Sequence, residues 1–600
     1  MFIRTMLLFV GFGFLFGCAI APKKPVGVAL GDYAYTKQYI SWLIEKEVKK
    51  QDVTGVSIAL VDDQKVVWAQ GFGYADKANN IPATADTVYR LGSISKVLTA
   101  TAAMQLAERG KIDIDKPLKT YLPEFSIKTR FPDTAPITPR NIMTHHSGLP
   151  ANLIKGMWTK DPEPFIRVVD EIKNDYVAYP PNYVFAYSNL GVTLLGAMIE
   201  RVSGEDYSAY MNHRLLQPMG MIHSSFTAKP DVPLMSKAYS KGKEVEEMPL
   251  RDVPAGGLNS SVIDMSRFME MIFAEGKSGE NQIIRPETLT EMLTPKNLDV
   301  PLDLNFRIGL GWMLGGLGGI DIQNAGPVAH HNGGTFNFMS QMIVLPKHKL
   351  GVIVLSNSAS GARVVSEVAT KALKLALEAK TGIKQPKEKK PAIDPTPLSP
   401  KTLQTYVGDY ATMVGLVKVS DKSSQLRAEA MGKTFQLEHR SDGQFGLKYK
   451  LLGLIPISLG DLGNIGFSRA TIEGRDVLIG SENNQSMLIG EKIKPVPIPQ
   501  SWLNRVGEYT IIDRGDNPMV PDKISLRYED SLLVFESFYA DNPKMPSRTA
   551  IYPVSDNEAV IAGLGSGMGE TIWVIPAGNE EIGLFSGLEL KKQNEAPAYP

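Results

Sequence analysis

The chain has 600 residues, of which 43% are hydrophobic and 21% are charged, and this ordinary globular composition excludes a disordered or fibrous chain. Lysine plus arginine and aspartate plus glutamate each total 64, so the formal net charge is zero and we expect no nucleic-acid partner. The single cysteine, Cys18, excludes disulfides and thiolate zinc sites. The length predicts about four structural units.

The N-terminus has the pattern of a bacterial lipoprotein signal peptide, predicted over residues 1–17. Arg4 precedes an apolar run at 6–16, which would be about 17 Å long as a helix and too short to cross a membrane. Leu15-Phe16-Gly17-Cys18 resembles a lipobox, so we expect lipidation at Cys18 and a lipid-anchored, extracytoplasmic protein of the cell envelope. Because Ala19 follows the cysteine, the outer membrane is favoured in a Gram-negative source. The alternative is an uncleaved anchor.

Residues 33–382 have the pattern of one mixed α/β unit. Two pairs of apolar runs, each flanking a polar turn, predict β-hairpins at the two ends of this unit, at 55–61 with 66–73 and at 340–345 with 351–357. Helical patterns occupy 94–109, 192–202 and 362–380. Strands at both ends with helices between them predict an antiparallel sheet that the two ends complete together.

The last third of the chain predicts β structure. Residues 383–400 are rich in proline and lysine, which is typical of an extended, solvated linker. Beyond it, Val407-Gly408-Asp409-Tyr410 returns as Val506-Gly507-Glu508-Tyr509, and alternating apolar patterns follow each copy. We therefore predict two β modules, at 401–497 and 500–600, as small barrels or sandwiches.

Ser93-Ile94-Ser95-Lys96 opens an Ala/Leu-rich helical run, and the i, i+3 spacing places Lys96 and Ser93 on one helical face. A serine hydroxyl becomes a nucleophile only when a base takes its proton. A lysine can be that base if its pKa falls from about 10.4 to near 7, which burial and the helix N-terminus both favour. Ser240-Lys241-Gly242-Lys243 matches the same S-x-x-K pattern, but no apolar helix follows it.

Two further motifs carry groups suited to the same chemistry. In Tyr187-Ser188-Asn189, the tyrosine can relay a proton to a leaving group, and the asparagine can hold an amine or bind a substrate amide. In His331-Asn332-Gly333-Gly334, the glycines let a substrate backbone approach a strand edge, and the histidine offers a ring nitrogen. The pair His145-His146 lacks the H-E-x-x-H frame of metal hydrolases, so we expect no metal site and no cofactor.

The order S-x-x-K, Y-x-N, H-x-G, with the phrase Gly256-Gly257-Leu258 between the last two, is highly specific as a set. Residues 33–380 resemble the serine β-lactamase-like family that is related to class C β-lactamases, DD-peptidases and D-aminopeptidases. The resemblance implies a β-lactamase/transpeptidase-like sandwich, in which an antiparallel sheet with helices adjoins an all-helical region. D-aminopeptidases of this family are similar in carrying H-x-G and in having two appended β-barrel modules.

The resemblance also implies roles for the motif residues. It implies that Ser93 is the nucleophile that forms an acyl-enzyme, that Lys96 is its base, that Tyr187 relays a proton and that Asn189 orients the reacting groups. It implies an oxyanion hole formed by the N–H groups of Ser93 and Gly334. It also implies that Gly333, next to Gly334, meets the substrate backbone.

One departure from the family pattern concerns the substrate carboxylate. Class C β-lactamases and most penicillin-binding proteins carry K-T-G where this chain has His331-Asn332-Gly333, and a histidine is mostly uncharged at pH 7. We therefore expect weak β-lactamase activity. The sequence predicts a serine hydrolase that cuts amide bonds of small, peptidoglycan-type D-amino-acid peptides. The alternatives are an esterase of the same family or a penicillin-binding protein with little turnover.

Overall fold

The computed structural model describes residues 20–593, except for residues 28, 316–319, 387–390, 452–454, 458, 484, 541–543 and 579. The predicted signal peptide at 1–17 and the predicted lipidation site Cys18 lie outside the described residues. In the part of the chain that is described, no helix has both the length and the apolar character needed to cross a membrane.

The N-terminal region contains a six-stranded antiparallel sheet that both predicted hairpins enter. Its strands, in spatial order, are Ala329–Gly334, Met339–Leu345, Leu350–Ser356, Gly55–Asp62, Lys65–Asp76 and Ile81–Pro82. The central pairing joins the first hairpin to the second, with Ile58 opposite Val354. The prediction that the two ends of the region complete one sheet is confirmed.

Helices cover both faces of this sheet. Ala34–Gln51 and Ala362–Thr381 lie on one face and Val262–Phe273 lies on the other. The other helices of this region are Ser95–Glu108, Pro139–Met143, Val168–Glu171, Asn189–Ser203, Tyr207–Met211, Val253–Gly256 and Pro286–Met292. The helix Ala362–Thr381 ends at Gly382, whose φ of 79° is the left-handed conformation that glycine adopts most easily at a helix end. Small strands at Tyr89–Arg90, Ser225–Phe226 and Leu258–Ser260 form a separate three-stranded sheet.

The strand Gly55–Asp62 divides its side chains between two hydrophobic cores. Val56, Ile58 and Leu60 pack with the helices Ala34–Gln51 and Ala362–Thr381 on one face. Ala59 and Val61 face the larger core on the other side, which includes most of the helix Ser95–Glu108. Because successive strand residues point to opposite faces, a fully apolar strand serves both layers. The helix that follows Ser93 is therefore fixed between the sheet and the helical region.

The C-terminal third forms two closed antiparallel barrels, which confirms the predicted β modules. The strands of the first barrel are Gly408–Thr412, Gly415–Lys422, Gln425–Ala430, Lys433–His439, Phe445–Leu451, Gly466–Ile472, Arg475–Glu482 and Gln485–Lys492, with Ile455–Ile457 attached at its edge. Those of the second are Gly507–Ile511, Lys523–Glu529, Leu532–Phe538, Ser547–Pro553, Glu558–Ile561, Thr571–Ala577, Glu580–Phe585 and Leu588–Lys592.

The repeated tetrapeptide has the same role in both barrels. The Tyr410 hydroxyl donates to the Tyr406 carbonyl at 2.8 Å, and the Tyr509 hydroxyl donates to the Arg505 carbonyl at 2.6 Å. Each tyrosine also pairs with a lysine of the last strand, which closes the barrel. The repeat therefore marks the point at which each barrel's first strand meets its last.

The described residues of the predicted linker are mostly exposed, and two backbone hydrogen bonds also tie this segment to the first barrel. The Ser441 N–H donates to the Ala392 carbonyl at 2.8 Å, and the Asp394 N–H donates to the His439 carbonyl at 2.9 Å. Proline removes donors from this segment, and these two backbone groups pair with a turn of the first barrel.

The second barrel docks on the N-terminal region through loops at one end. The loop between Gly507–Ile511 and Lys523–Glu529 contacts residues 154–160, where the Asn517 side-chain amide donates to the Ile154 carbonyl at 2.6 Å. The turn at Ser586 adds a second contact, since its hydroxyl accepts from the Ile154 N–H at 2.9 Å. A further loop, 562–570, reaches residues 151 and 178–187.

Candidate active site

Ser93 lies in a short 3-10 turn, Gly92–Ile94, that runs directly into the helix Ser95–Glu108. The Lys96 amine lies 3.0 Å from the Ser93 hydroxyl oxygen and donates to the Ala255 carbonyl at 2.7 Å. The i, i+3 spacing thus brings the two side chains together as predicted. Ser240 and Lys243, the discounted match, lie on the two strands of a small hairpin.

Lys96 is only 2% exposed. Burial lowers the pKa of Lys96 to about 7, while the nearby Asp252 carboxylate opposes that shift. Desolvation disfavours the ammonium form, so near pH 7 about half of the molecules carry a neutral amine. A neutral amine 3.0 Å from a hydroxyl can take its proton.

The Tyr187 ring packs against this pair. The Lys96 amine lies 4.9 Å from the ring centre, and the His145 ring packs on the Tyr187 ring with centroids 4.2 Å apart and planes tilted by 33°. Burial raises the pKa of the Tyr187 phenol, while its hydrogen bond with Ser93 opposes the rise. The phenol therefore keeps its proton at neutral pH and can hand it on within the site.

His145 was set aside in the sequence analysis because it fits no metal motif, yet it belongs to the site. Its Nδ1 accepts from the Ser188 N–H at 3.1 Å, so the other ring nitrogen carries the proton of the neutral ring. Burial and the nearby Lys96 charge lower the pKa of His145 far below its usual range. His145 is thus a neutral ring that supports the Tyr187 side chain.

Two glycines, Gly92 and Gly333, allow the strand Ala329–Gly334 to lie against the turn that carries Ser93. Gly92 has a φ of 54°, and a Cβ there would lie 2.7 Å from both the backbone N and O of Gly334. A Cβ on Gly333 would overlap the Leu91 carbonyl. Only glycine permits this approach, which places the Gly334 backbone beside the nucleophile.

His331 lies close to Tyr187, with ring centroids 6.3 Å apart, and its Nδ1 donates to the Asn332 carbonyl at 2.6 Å. Burial, followed by the Lys96 charge, lowers the pKa of His331 to about 3. The ring is therefore neutral throughout the physiological range. His331 therefore supplies no positive charge to the site.

Asn189 is the first residue of the helix Asn189–Ser203, whose N-cap is Ser188. The Asn189 amide donates to the Asn152 side-chain oxygen at 2.8 Å, and both residues line the cavity beside Ser93. The hydrogen bonds of the Lys96 amine go to Ser93 and Ala255. Asn189 is thus next to the nucleophile, but its side-chain amide donates to Asn152, a residue that no sequence motif indicated.

A buried carboxylate, Asp252, lines the same cavity. One of its oxygens accepts from the Arg251 guanidinium at 2.7 Å, and its other oxygen has no hydrogen-bond partner among the described residues. The Arg251 side chain is itself held by the Leu153 and Lys155 carbonyls. Asp252 therefore adds a fixed negative charge near Lys96.

The loop 562–570 of the second barrel supports Tyr187 from outside the N-terminal region. The Tyr187 N–H donates to the Ser566 hydroxyl at 2.6 Å, and the Tyr179 hydroxyl donates to the Gly563 and Gly565 carbonyls at 3.1 and 3.3 Å. Glu570 accepts from the Ala151 N–H at 2.8 Å. These contacts join residues almost 400 positions apart, so no local sequence signal could reveal them.

Metal ligation has no candidate in the described ranges. No group of three or more His, Cys, Asp or Glu side chains there is arranged to hold an ion.

Comparison with known families gives a match over the N-terminal region. The family profile described as Beta-lactamase matches residues 41–377, which is more than half of the chain. All the motif residues from Ser93 to Gly334 lie inside this range.

Two curated relatives are similar over the same region. Protein flp of Staphylococcus aureus strain MRSA252 is 25% identical over 336 residues, which cover 54% of this chain and 63% of flp. The serine beta-lactamase-like protein LACTB, mitochondrial, of Mus musculus is 26% identical over 423 residues, which cover 54% of this chain and 76% of LACTB. The chain thus spans less than two thirds of the length of flp.

The crystal structure of SurE with D-Leu extends the similarity beyond the N-terminal region. It superposes with a TM-score of 0.53 at 22% identity and covers 76% of this chain and 99% of that chain. At this identity the likeness concerns the fold alone.

The docking of the loop 562–570 yields a prediction with a matched control. Gly567 and Gly569 have nearly equal φ values of 74° and 72°, so alanine imposes similar backbone strain at both. A Cβ on Gly569 would lie 2.7 Å from the Tyr179 ring, whereas a Cβ on Gly567 would meet no atom within 4 Å. We expect Gly569→Ala to lower stability by about 1–3 kcal/mol more than Gly567→Ala, because only the former overpacks the interface.

The measurement is thermal and denaturant unfolding of both variants, with hydrogen exchange of the peptide that contains Tyr187. Gly569→Ala should also speed exchange at the Tyr187 amide, which loses its Ser566 partner. If the two variants have equal stability and equal exchange rates at Tyr187, the loop 562–570 does not hold the Tyr187 segment.

Proposed function

This chain belongs to the beta-lactamase family, and on that premise we propose that it is a serine hydrolase that works through an acyl-enzyme on Ser93. The observation that carries the proposal is the 3.0 Å contact between the Ser93 hydroxyl and the Lys96 amine, together with the lowering of the Lys96 pKa to about 7. A nucleophile beside a base that is half neutral at working pH is what covalent catalysis requires.

In the proposed mechanism the Lys96 amine takes the Ser93 proton as the hydroxyl oxygen attacks a carbonyl carbon. The N–H groups of Ser93 and Gly334 then stabilise the oxyanion. The Tyr187 phenol passes its proton to the leaving group and regains one from the Lys96 ammonium, so both groups return to their starting forms. The bond to the leaving group breaks, and the acyl group remains on Ser93 as an ester. Water releases it in a second addition and elimination, which returns the proton to Ser93.

We propose amides of small D-amino-acid peptides, of the peptidoglycan type, as the substrate class. The support for this class is the resemblance of the three motifs to D-aminopeptidases. The neutral His331 argues against substrates that need a cation for a free carboxylate, so β-lactam turnover should be weak. An esterase, or a penicillin-binding protein with little turnover, remains the alternative.

The first prediction concerns the nucleophile and the bond that is cut. A fluorophosphonate should label the protein at one serine, Ser93→Ala should abolish labelling, and Ser240→Ala, in the other S-x-x-K match, should leave it intact. Initial rates on a D-alanyl anilide and the matching ester then separate the alternatives. Serine-dependent cleavage of the anilide supports a peptidase, cleavage of the ester alone supports an esterase, and labelling of Ser93→Ala at the wild-type rate would refute the assignment.

The second prediction is a pH dependence. Acylation needs the neutral form of Lys96, whose fraction rises as pH rises through about 7. The second-order rate constant for fluorophosphonate labelling should therefore increase about tenfold per pH unit below pH 6 and level off above pH 8. It should be measured from pH 5 to 9 at constant ionic strength.

A rival group for this titration is Glu570, because burial raises its pKa to about 7 as well. Glu570→Gln keeps an oxygen for the Ala151 N–H but cannot titrate, so it serves as the control. The labelling profile should keep its midpoint in Glu570→Gln. If the midpoint disappears in this variant, the pH dependence belongs to the barrel contact and not to Lys96.

We further propose that the protein is a lipoprotein of the cell envelope, anchored through Cys18. The support is the lipobox pattern and its charged and apolar flanks. Cells that express the protein should incorporate a radiolabelled fatty acid into it, and Cys18→Ala should lose the label and leave the membrane fraction. A wild-type protein without label would reject the anchor and would leave the hydrolase proposal untouched.

A further inference from the structure

The cavity beside Ser93 has a volume of about 270 Å³. Its polar rim includes Asn152 and Asn189, and its apolar wall is built from Met157, Trp158, Leu250, Phe336 and Met519. Of the described side chains that line it, only Asp252 is charged. A space with one polar side next to the nucleophile and a broad apolar wall is suited to an apolar substituent of a polar substrate.

The apolar wall is a packed cluster. Met157, Trp158 and Leu250 are each less than 10% exposed, and Phe336 and Met519 pack against them. Trp158 and Phe336 meet edge to face with ring centroids 4.9 Å apart. Four of these five side chains come from the N-terminal region, and Met519 comes from the second barrel.

Met519 is held in place by the loop that carries it. Its N–H donates to the Asn517 side-chain oxygen at 2.9 Å, and the Asn517 amide donates to the Ile154 carbonyl at 2.6 Å. Asp516 accepts from the Lys160 N–H at 3.1 Å. Asp516 and the buried Asn517 thus bind the N-terminal region, and Asn517 in turn holds the Met519 backbone. The interface between the second barrel and the N-terminal region therefore positions Met519.

The size of the cavity suits a large side chain. A closed apolar cavity of about 150 Å³ is enough to bind benzene in another protein, so 270 Å³ holds a benzyl group with room to spare. Because Ser93 itself lines the cavity, the acyl group that it carries has this space beside it. The leaving group departs when the acyl-enzyme forms, whereas the acyl group stays on Ser93, beside this cavity, until water releases it.

We propose that this cavity is the specificity pocket for a large apolar side chain on the residue that donates the acyl group, and that Met519 of the second barrel sets its depth. This inference rests on the proposed acyl transfer to Ser93. It assigns to the second barrel a direct part in substrate selection. Methionine is suited to such a wall because its flexible thioether adapts to an apolar partner.

The test compares D-phenylalanyl and D-alanyl anilides in the wild type, in Met519→Ala and in Met545→Ala. Met545 is an exposed methionine of the same barrel that lines the cleft between the two barrels, so it is the matched control. The wild type should prefer the phenylalanyl substrate, and Met519→Ala should change the ratio of kcat/KM values by roughly tenfold, as expected for a few methylene contacts. Met545→Ala should keep the wild-type ratio.

Inhibition by 2-phenylethylboronic and methylboronic acid gives a readout that does not depend on amide turnover. A boronic acid needs only the serine nucleophile, so the ratio of the two inhibition constants reports on the pocket even if the proposed substrate class is wrong. This ratio should favour the phenylethyl compound and should change in Met519→Ala alone. An unchanged ratio in that variant, or a wild-type preference for methyl or for a D-lysyl substrate, would overturn the proposal.

Discussion

The burial of one amine is the constraint on which the rest of the site depends. Lys96 has almost no solvent contact, and its amine is next to the Ala255 carbonyl, the Ser93 hydroxyl and the Tyr187 ring. An environment that pushes a lysine toward neutrality must keep water out from all sides. The sheet, the helical region and the loop that supports Tyr187 each cover one of those sides.

Gly92 and Gly333 bring the strand that carries Gly334 close to this buried amine and its serine. They allow a sheet strand to lie against the turn before the helix Ser95–Glu108, so the Gly334 backbone comes beside the Ser93 turn. The amine, the hydroxyl and this backbone are therefore fixed by elements that pack in the domain core, and little of the geometry depends on loops of the same region.

Much of this arrangement could be predicted from the sequence, because it follows from local spacing. The hairpins, the helix after Ser93, the barrel strands and the grouping of Ser93, Lys96, Tyr187 and His331 all derive from periodicity or from a motif set. Asn152, Ser566 and Met519 could not be predicted, since they are ordinary residues whose importance comes only from tertiary contact. His145 was visible as a histidine, but its contact with the Tyr187 ring is tertiary, and no sequence pattern predicts its positive φ of 58°.

The contact between Asn517 and Ile154 joins positions that are 363 residues apart. Since the loops of the last barrel complete the pocket wall, a chain emerging from the ribosome or from a translocation channel has its serine and lysine long before it has a finished pocket. The order of synthesis therefore delays completion of the pocket wall until the second barrel has folded. A protein stopped short of that barrel would keep Ser93 and Lys96 but would lack Met519 in the pocket wall.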